Sequence, residues 1–152
     1  MVPPVVRFVI PIIFLSVVPA HAKGPTVQIS ISGPELEVPL HSSSSSLIAP
    51  NVWMGGIFDR DSGPIEYEAD ESKMYRIHFW TRSTPDGTNL VYVVLYFWNE
   101  ELDRAIVCLP GERSKWYWLN LSTIGRGDED GSCFYANATW GAAVAETIRN
   151  SR

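Results

Sequence analysis

The runs Tyr75-Arg76-Ile77-His78-Phe79-Trp80-Thr81 and Leu90-Val91-Tyr92-Val93-Val94-Leu95-Tyr96-Phe97-Trp98 flank the segment Thr84-Pro85-Asp86-Gly87-Thr88-Asn89. Both runs are rich in β-branched and aromatic residues, which suit a pleated, half-buried surface. Asp86-Gly87 supplies positive φ at little steric cost, so the segment between them reads as a hairpin turn. In the first run Tyr75, Ile77 and Phe79 share one face, while Arg76, His78 and Trp80 share the other. The second run is apolar on both faces, as a central strand covered on each side requires. Its nine residues fall well short of the roughly 20 needed by a helical membrane span.

Working outward, Asn99 to Arg104 is a charged turn and Ala105 to Leu109 a third strand, antiparallel to the second. Pro110-Gly111-Glu112-Arg113 ends it. Trp116-Tyr117-Trp118-Leu119 reads as a short strand, Gly125 to Gly131 as an acidic loop, and Phe134-Tyr135 as part of a last strand. On the N-terminal side, Thr26-Val27-Gln28-Ile29-Ser30-Ile31-Ser32 alternates apolar and polar residues strictly. Gly33-Pro34 breaks the pattern, and Glu35-Leu36-Glu37-Val38-Pro39-Leu40 resumes it, predicting an edge hairpin with Leu36 and Val38 turned to the side of Val27, Ile29 and Ile31. The Ser-rich stretch His41 to Ser46, with Ser42 to Ser46 unbroken, reads as a loop, and Gly55 to Ser72 as a long acidic loop. Between them, Leu47 to Met54 forms a helical turn or an extended crossing that delivers Val52 or Trp53 to the core. Ala138 to Arg149 reads as a helix with Trp140, Val144 and Ile148 on one face and Asn137 or Thr139 as its cap. The fold class expected is mainly β, an antiparallel meander or small sandwich with one C-terminal helix.

Residues 1–22 carry one basic residue, Arg7, the apolar run Phe8 to Leu15, and the small-x-small ending Ala20-His21-Ala22. This is the pattern of a secretory signal cut before Lys23, leaving residues 23–152 as one exported domain, periplasmic or extracellular. The formal charge of −5 then becomes −6, with 11 Lys and Arg against 17 Asp and Glu. The basic residues are scattered, so a phosphate backbone is a poor ligand, and no membrane span remains after cleavage. Cys108 and Cys133 both lie in strand-like stretches, and an oxidising compartment permits a disulfide between them if they face one another. The alternative is two buried thiols packed as small hydrophobes.

Chemistry-bearing motifs are sparse. His41 and His78 are the imidazoles left after cleavage, too few for a zinc site, and no cofactor motif is present. Ser42 to Ser46 beside His41 lack a scaffold that could hold a nucleophile against a base. Asp59-Arg60-Asp61-Ser62-Gly63 and Gly127-Asp128-Glu129-Asp130-Gly131 gather oxygens on turns, but neither completes a calcium loop. No catalytic residue is nominated. Aromatics are the unusual endowment, 18 Phe, Trp and Tyr in all. Trp80, Tyr92, Tyr96, Trp98, Trp116, Tyr117 and Trp118 lie in or beside the expected strands, either displayed for stacking on a sugar or peptide or filling the space between sheet and helix. Asn120-Leu121-Ser122 and Asn137-Ala138-Thr139 match the glycosylation sequon.

Lys23-Gly24-Pro25-Thr26-Val27-Gln28-Ile29, Asn51-Val52-Trp53, Leu109-Pro110-Gly111, Trp116-Tyr117-Trp118-Leu119-Asn120 running into Ser122-Thr123-Ile124, and Trp140 together resemble an uncharacterised family of small exported bacterial proteins. The likeness extends over most of the chain after the leader. It implies an exported domain and supplies no catalytic or ligand residues. These observations lead to a non-enzymatic binding domain whose partner is a glycan such as a cell-envelope polymer, or another protein. The rivals are a small hydrolase built on two carboxylates and an accessory or inhibitor of an exported enzyme.

Overall fold

A computed structural model describes residues 24–84, 87–124 and 131–152, without the side chains of 83–84 and 121–124. The leader expected at 1–22, Pro85 and Asp86 of the expected turn, and residues 125–130 of the expected acidic loop lie outside the described residues, and with them most of the second expected calcium-like turn.

Seven strands form one antiparallel sheet: β1 (Thr26–Ser32), β2 (Leu40–Ser42), β3 (Pro64–Ile65), β4 (Tyr75–Thr84), β5 (Gly87–Asn99), β6 (Arg104–Cys108) and β7 (Cys133–Tyr135). Their spatial order is β2-β1-β4-β5-β6-β7-β3. The long hairpin β4–β5 sits at its heart, with Tyr75 opposite Tyr96 and Ile77 opposite Val94. β5 is the fourth strand of seven, and Tyr92 to Tyr96 are buried in succession, which accounts for a run apolar on both faces. β4, β5, β6 and β7 form the expected meander. The sandwich alternative gives way to a single sheet.

One face carries the main core. Ile29, Ile31, Ile77, Phe79, Tyr92, Val94 and Tyr96 lie beneath helix α3 (Ala138–Arg149), which inserts Trp140, Val144 and Ile148. Asn137 is the cap, its side chain accepting from the Trp140 N–H, so one otherwise unpaired helical donor is satisfied. The Trp140 indole lies 6.1 Å from both Phe79 and Tyr96, stacked on the first and edge-on to the second, and its Nε1 donates to the Leu47 carbonyl at 3.2 Å. The Tyr96 hydroxyl donates to the Gly141 carbonyl at 2.8 Å, and burial pushes its phenol pKa far up. Gly141 is required by the close approach of α3 to β6: a Cβ there would stand 2.9 Å from the Cβ of Ala105.

The opposite face is divided. Over β5, β6 and β7, Met74, Leu95, Ile106, Cys108 and Cys133 form a second small core, flanked by Ile65, Tyr67, Phe97 and Tyr135. Cys108 and Cys133 are directly opposite in register and joined by a disulfide, with their Cα atoms 4.0 Å apart. The thiol alternative therefore falls away. Over β1 and β4 the same face is polar.

Four sequence expectations need correction. The second strand of the N-terminal hairpin is Leu40–Ser42, not Glu35–Leu40: the chain turns at Glu35, which adopts φ of 65°, and Val38 is left exposed. Alternation continued through a segment whose two prolines and left-handed residue cannot make a ladder. The Ser-rich stretch is therefore ordered, giving β2 and then a short helix α1 (Ser45–Ile48) that drops Leu47 into the core. Residues 55–72 are not wholly loop: Ile57 and Phe58 are core residues, Arg60–Ser62 make a helical turn, and β3 closes the far sheet edge against β7. Finally, Trp116-Tyr117-Trp118-Leu119 is no strand. Helix α2 (Tyr117–Ile124) begins there, because Asn120 finds its partners on β5 and that tertiary anchor outweighs the β preference of the aromatics. Of the two candidates in the crossing before Gly55, Val52 is buried outright and Trp53 partly, its Nε1 donating to the Gly24 carbonyl at 3.1 Å.

Candidate functional site

The polar wing of the sheet is built by alternation on two neighbouring strands. With Ile29, Ile31, Ile77 and Phe79 committed to the core, Gln28, Ser30 and Ser32 on β1 and Arg76, His78, Trp80 and Arg82 on β4 must face the other way. The register sets them in rows: Gln28 opposite Trp80, Ser30 opposite His78, Ser32 opposite Arg76. His41 on β2 extends the middle row, being opposite Ser30. Trp80 Nε1 donates to Ser30 Oγ at 3.2 Å. Helices α1 and α3 pack on the opposite face, and α2 packs against β5.

α2 is fixed by a side chain that stands in for a strand. β6 pairs with β5 only from Leu95 onward, so the main-chain groups of Val93 lie beyond its reach. The Asn120 carboxamide satisfies both, accepting from Val93 N–H at 2.9 Å and donating to the Val93 carbonyl at 2.7 Å. Ser114 starts the turn into the helix, accepting through its carbonyl from Tyr117 N–H. Between these two anchors, Trp116 is laid edge-on against the His78 imidazole, with ring centres 5.1 Å apart. Lys115 Nζ lies over the Trp116 ring at 4.8 Å, within cation–π range. Trp116 Nε1 is buried and meets no acceptor among the described residues.

Partial burial holds the His78 pKa below its ordinary value. A hydrogen bond with the Ser30 main chain opposes the shift, while the positive charges of Arg76 and Lys115 reinforce it. His78 is thus neutral near pH 7, with cations on two sides of it. The carboxylates that are perturbed lie elsewhere, and both are held in the charged form. Asp59 is held low by hydrogen bonds from Ser62 and Arg104, and Asp70 by Ser72 and Lys73. A general acid needs its pKa raised instead. Among the described residues no three His, Cys, Asp or Glu gather into a metal-ligand set.

The aromatic residues singled out from sequence do not form one surface. Tyr92 and Tyr96 are core residues, 1% and 0% exposed, because their parity on β5 places them under α3. Trp98 shares that face at the rim, lining a 120 Å³ hollow with Tyr75, Ile148 and Arg149. Trp118 is 71% exposed on α2, edge-on to the neighbouring Tyr117. Trp80 and Trp116 both neighbour His78, Trp80 two residues along the outward row of β4 and Trp116 edge-on to the imidazole. Their polar companions Gln28, Ser30, Arg76 and Lys115 were absent from the expected set. Arg76 was already legible beside His78 and Trp80 by alternation, whereas Lys115 is brought in only by the turn before α2. The larger hollows, about 540 Å³ beside Asp59 and Arg104 and about 300 Å³ beside Trp53, lie outside this wing. Of the two sequons, Asn120 is sealed by its bonds to Val93, while Asn137 is exposed at the start of α3.

Searches against family models, curated proteins and solved structures find no match.

Proposed function

We propose that this chain is an exported, non-enzymatic binding domain whose ligand lies across the polar wing of β1 and β4, with a glycan of the cell envelope as the partner class. The observation that supports this reading is the placement of two half-buried indoles next to a neutral imidazole, Trp80 two residues along β4 from His78 and Trp116 edge-on to it, on the half of the sheet that the second core leaves uncovered. Rigid indoles present large contact area at low entropic cost, and the CH face of a sugar ring stacks on them. Gln28, Ser32 and His41 supply adaptable hydrogen-bonding groups around that platform. The Cys108–Cys133 disulfide accords with an oxidising compartment, as does the leader expected at residues 1–22.

The test is a titration of the purified protein with neutral glycans, acidic glycans and peptidoglycan fragments, followed by Trp fluorescence. A saturable change with at least one glycan class, abolished in Trp80→Ala, is expected. Silence toward every glycan, or a response unchanged in Trp80→Ala, refutes the assignment.

A further inference from the structure

The wing has a one-signed charge pattern in a chain whose total charge is −5. β2, β1, β4 and β5 carry no Asp or Glu among their residues. By contrast Arg76 and Arg82 stand at two ends of the outward row on β4, with His78 and Trp80 between them, and Lys115 joins from the flank. Arg76 and Lys115 both act electrostatically on His78, and no carboxylate is among the groups that do. At about 3.3 Å per residue, the six-residue interval from Arg76 to Arg82 spans about 20 Å, too long for one small anion and suited to a linear chain bearing repeated charges.

Resting on the reading that the wing binds a glycan, we propose that the ligand is a linear acidic polysaccharide whose carboxylates are received by Arg76, Arg82 and Lys115 while its sugar rings stack on Trp80 and Trp116. Charge complementarity selects the anion, since this face gathers cations without an acid on its strands in a chain that is acidic overall. The indoles select a sugar over an extended acidic peptide, because a pyranose offers a flat apolar face and a polyglutamate backbone does not. Arginine at both ends matches the geometry of carboxylate recognition, where two parallel N–H donors meet two oxygens. The hydroxyl groups of such a chain meet Gln28 and Ser32 in the neighbouring row.

Oligogalacturonate and its methyl ester are the probes, since they share a ring and a linkage and differ in charge with only a methyl group added at each carboxyl. The protein expressed from its full sequence is titrated with each by calorimetry and by Trp fluorescence, and poly-glutamate serves as the peptide control. Binding of the acid form is expected to exceed that of the ester by about tenfold or more, and to weaken as salt is raised. Arg76→Gln and Lys115→Gln should each lose about 3- to 30-fold in affinity for the acid form and a clearly smaller factor for the ester, with circular dichroism confirming the fold. Equal binding of acid and ester overturns the anionic assignment while leaving the glycan face intact. Tighter binding of poly-glutamate overturns it in favour of a peptide. Failure of both sugars overturns it, and if the neutral and peptidoglycan ligands also fail, the glycan reading falls with it.

Discussion

Replacing Asn120 by alanine tests the device that positions the wing's outer flank. The carboxamide makes two hydrogen bonds to Val93, at 2.9 and 2.7 Å, and Asn120 and Val93 are 1% and 0% exposed. Truncation strands a main-chain N–H and a carbonyl where water enters poorly, at about 1–3 kcal/mol for each unsatisfied group. Alanine regains about 0.6 kcal/mol as a better helix former, too little to offset the loss. The net destabilisation is therefore about 1.5–5.5 kcal/mol, measured by chemical denaturation with the disulfide intact. Asn120→Asp refines the test because it keeps the acceptor for Val93 N–H and loses the donor to the carbonyl. Its buried carboxyl has a raised folded-state pKa, so whatever stability the variant has is present below the unfolded value near 3.9 and lost as pH rises. The gap between wild type and Asn120→Asp should widen from pH 4 to pH 7. An Asn120→Ala variant within about 0.5 kcal/mol of wild type, or a gap that narrows with pH, refutes the strand-substitute account of α2.

Gly141→Ala should destabilise by about 1–3 kcal/mol despite alanine's helical preference, because its Cβ would lie 2.9 Å from Ala105 and 3.1 Å from Ala136; thermal unfolding of the single variant, and of a double variant with Ala105→Gly that should recover part of the loss, measures it. Reduction of the Cys108–Cys133 bond, which closes a separation of 25 residues, should lower stability by about 3 kcal/mol, read from denaturation with and without reductant. His78 has a pKa depressed below 6.5 by burial, so the unfolded chain binds its proton first as pH falls. Stability should decline below about pH 6.5 and level off beneath the folded-state value; in His78→Gln that component of the decline should be missing.

The elements legible in the sequence were those whose signal is local and unbroken. The β4–β5 hairpin combined β-rich runs with an Asp-Gly turn, and α3 combined a cap with apolar residues four apart, so both emerged with bounds close to those observed. The segments that misled had local patterns overruled at a distance. Glu35 to Val38 alternates as a strand does, but Glu35 turns the chain by taking a left-handed conformation. Trp116 to Leu119 has strand-forming residues, yet Asn120 docks on Val93, 27 positions away, and the aromatics follow it into a helix. The serine stretch looked featureless because its order comes from Leu40 pairing with Ile31 and Leu47 entering the core, contacts that composition does not announce.

The candidate site was half legible for the same reason. Alternation placed Arg76, His78 and Trp80 on one face without any knowledge of neighbours. Which strand lies beside β4 is a matter of topology, so Ser30 and Gln28 entered only with the register of β1. Parity on β5 consigned Tyr92 and Tyr96 to the core, where their size serves packing with Trp140. Aromatic abundance alone could not separate rings that build the fold from rings that a ligand can reach.

The central claim is that the ligand meets the β1–β4 wing. Its most direct measurement is glycan affinity in four single-alanine variants, with Trp80 and Trp116 on the wing and Trp98 and Trp118 away from it. The account predicts that binding collapses in the first pair and persists in the second. Binding that survives loss of Trp80 and Trp116 but vanishes with Trp98 or Trp118 contradicts it.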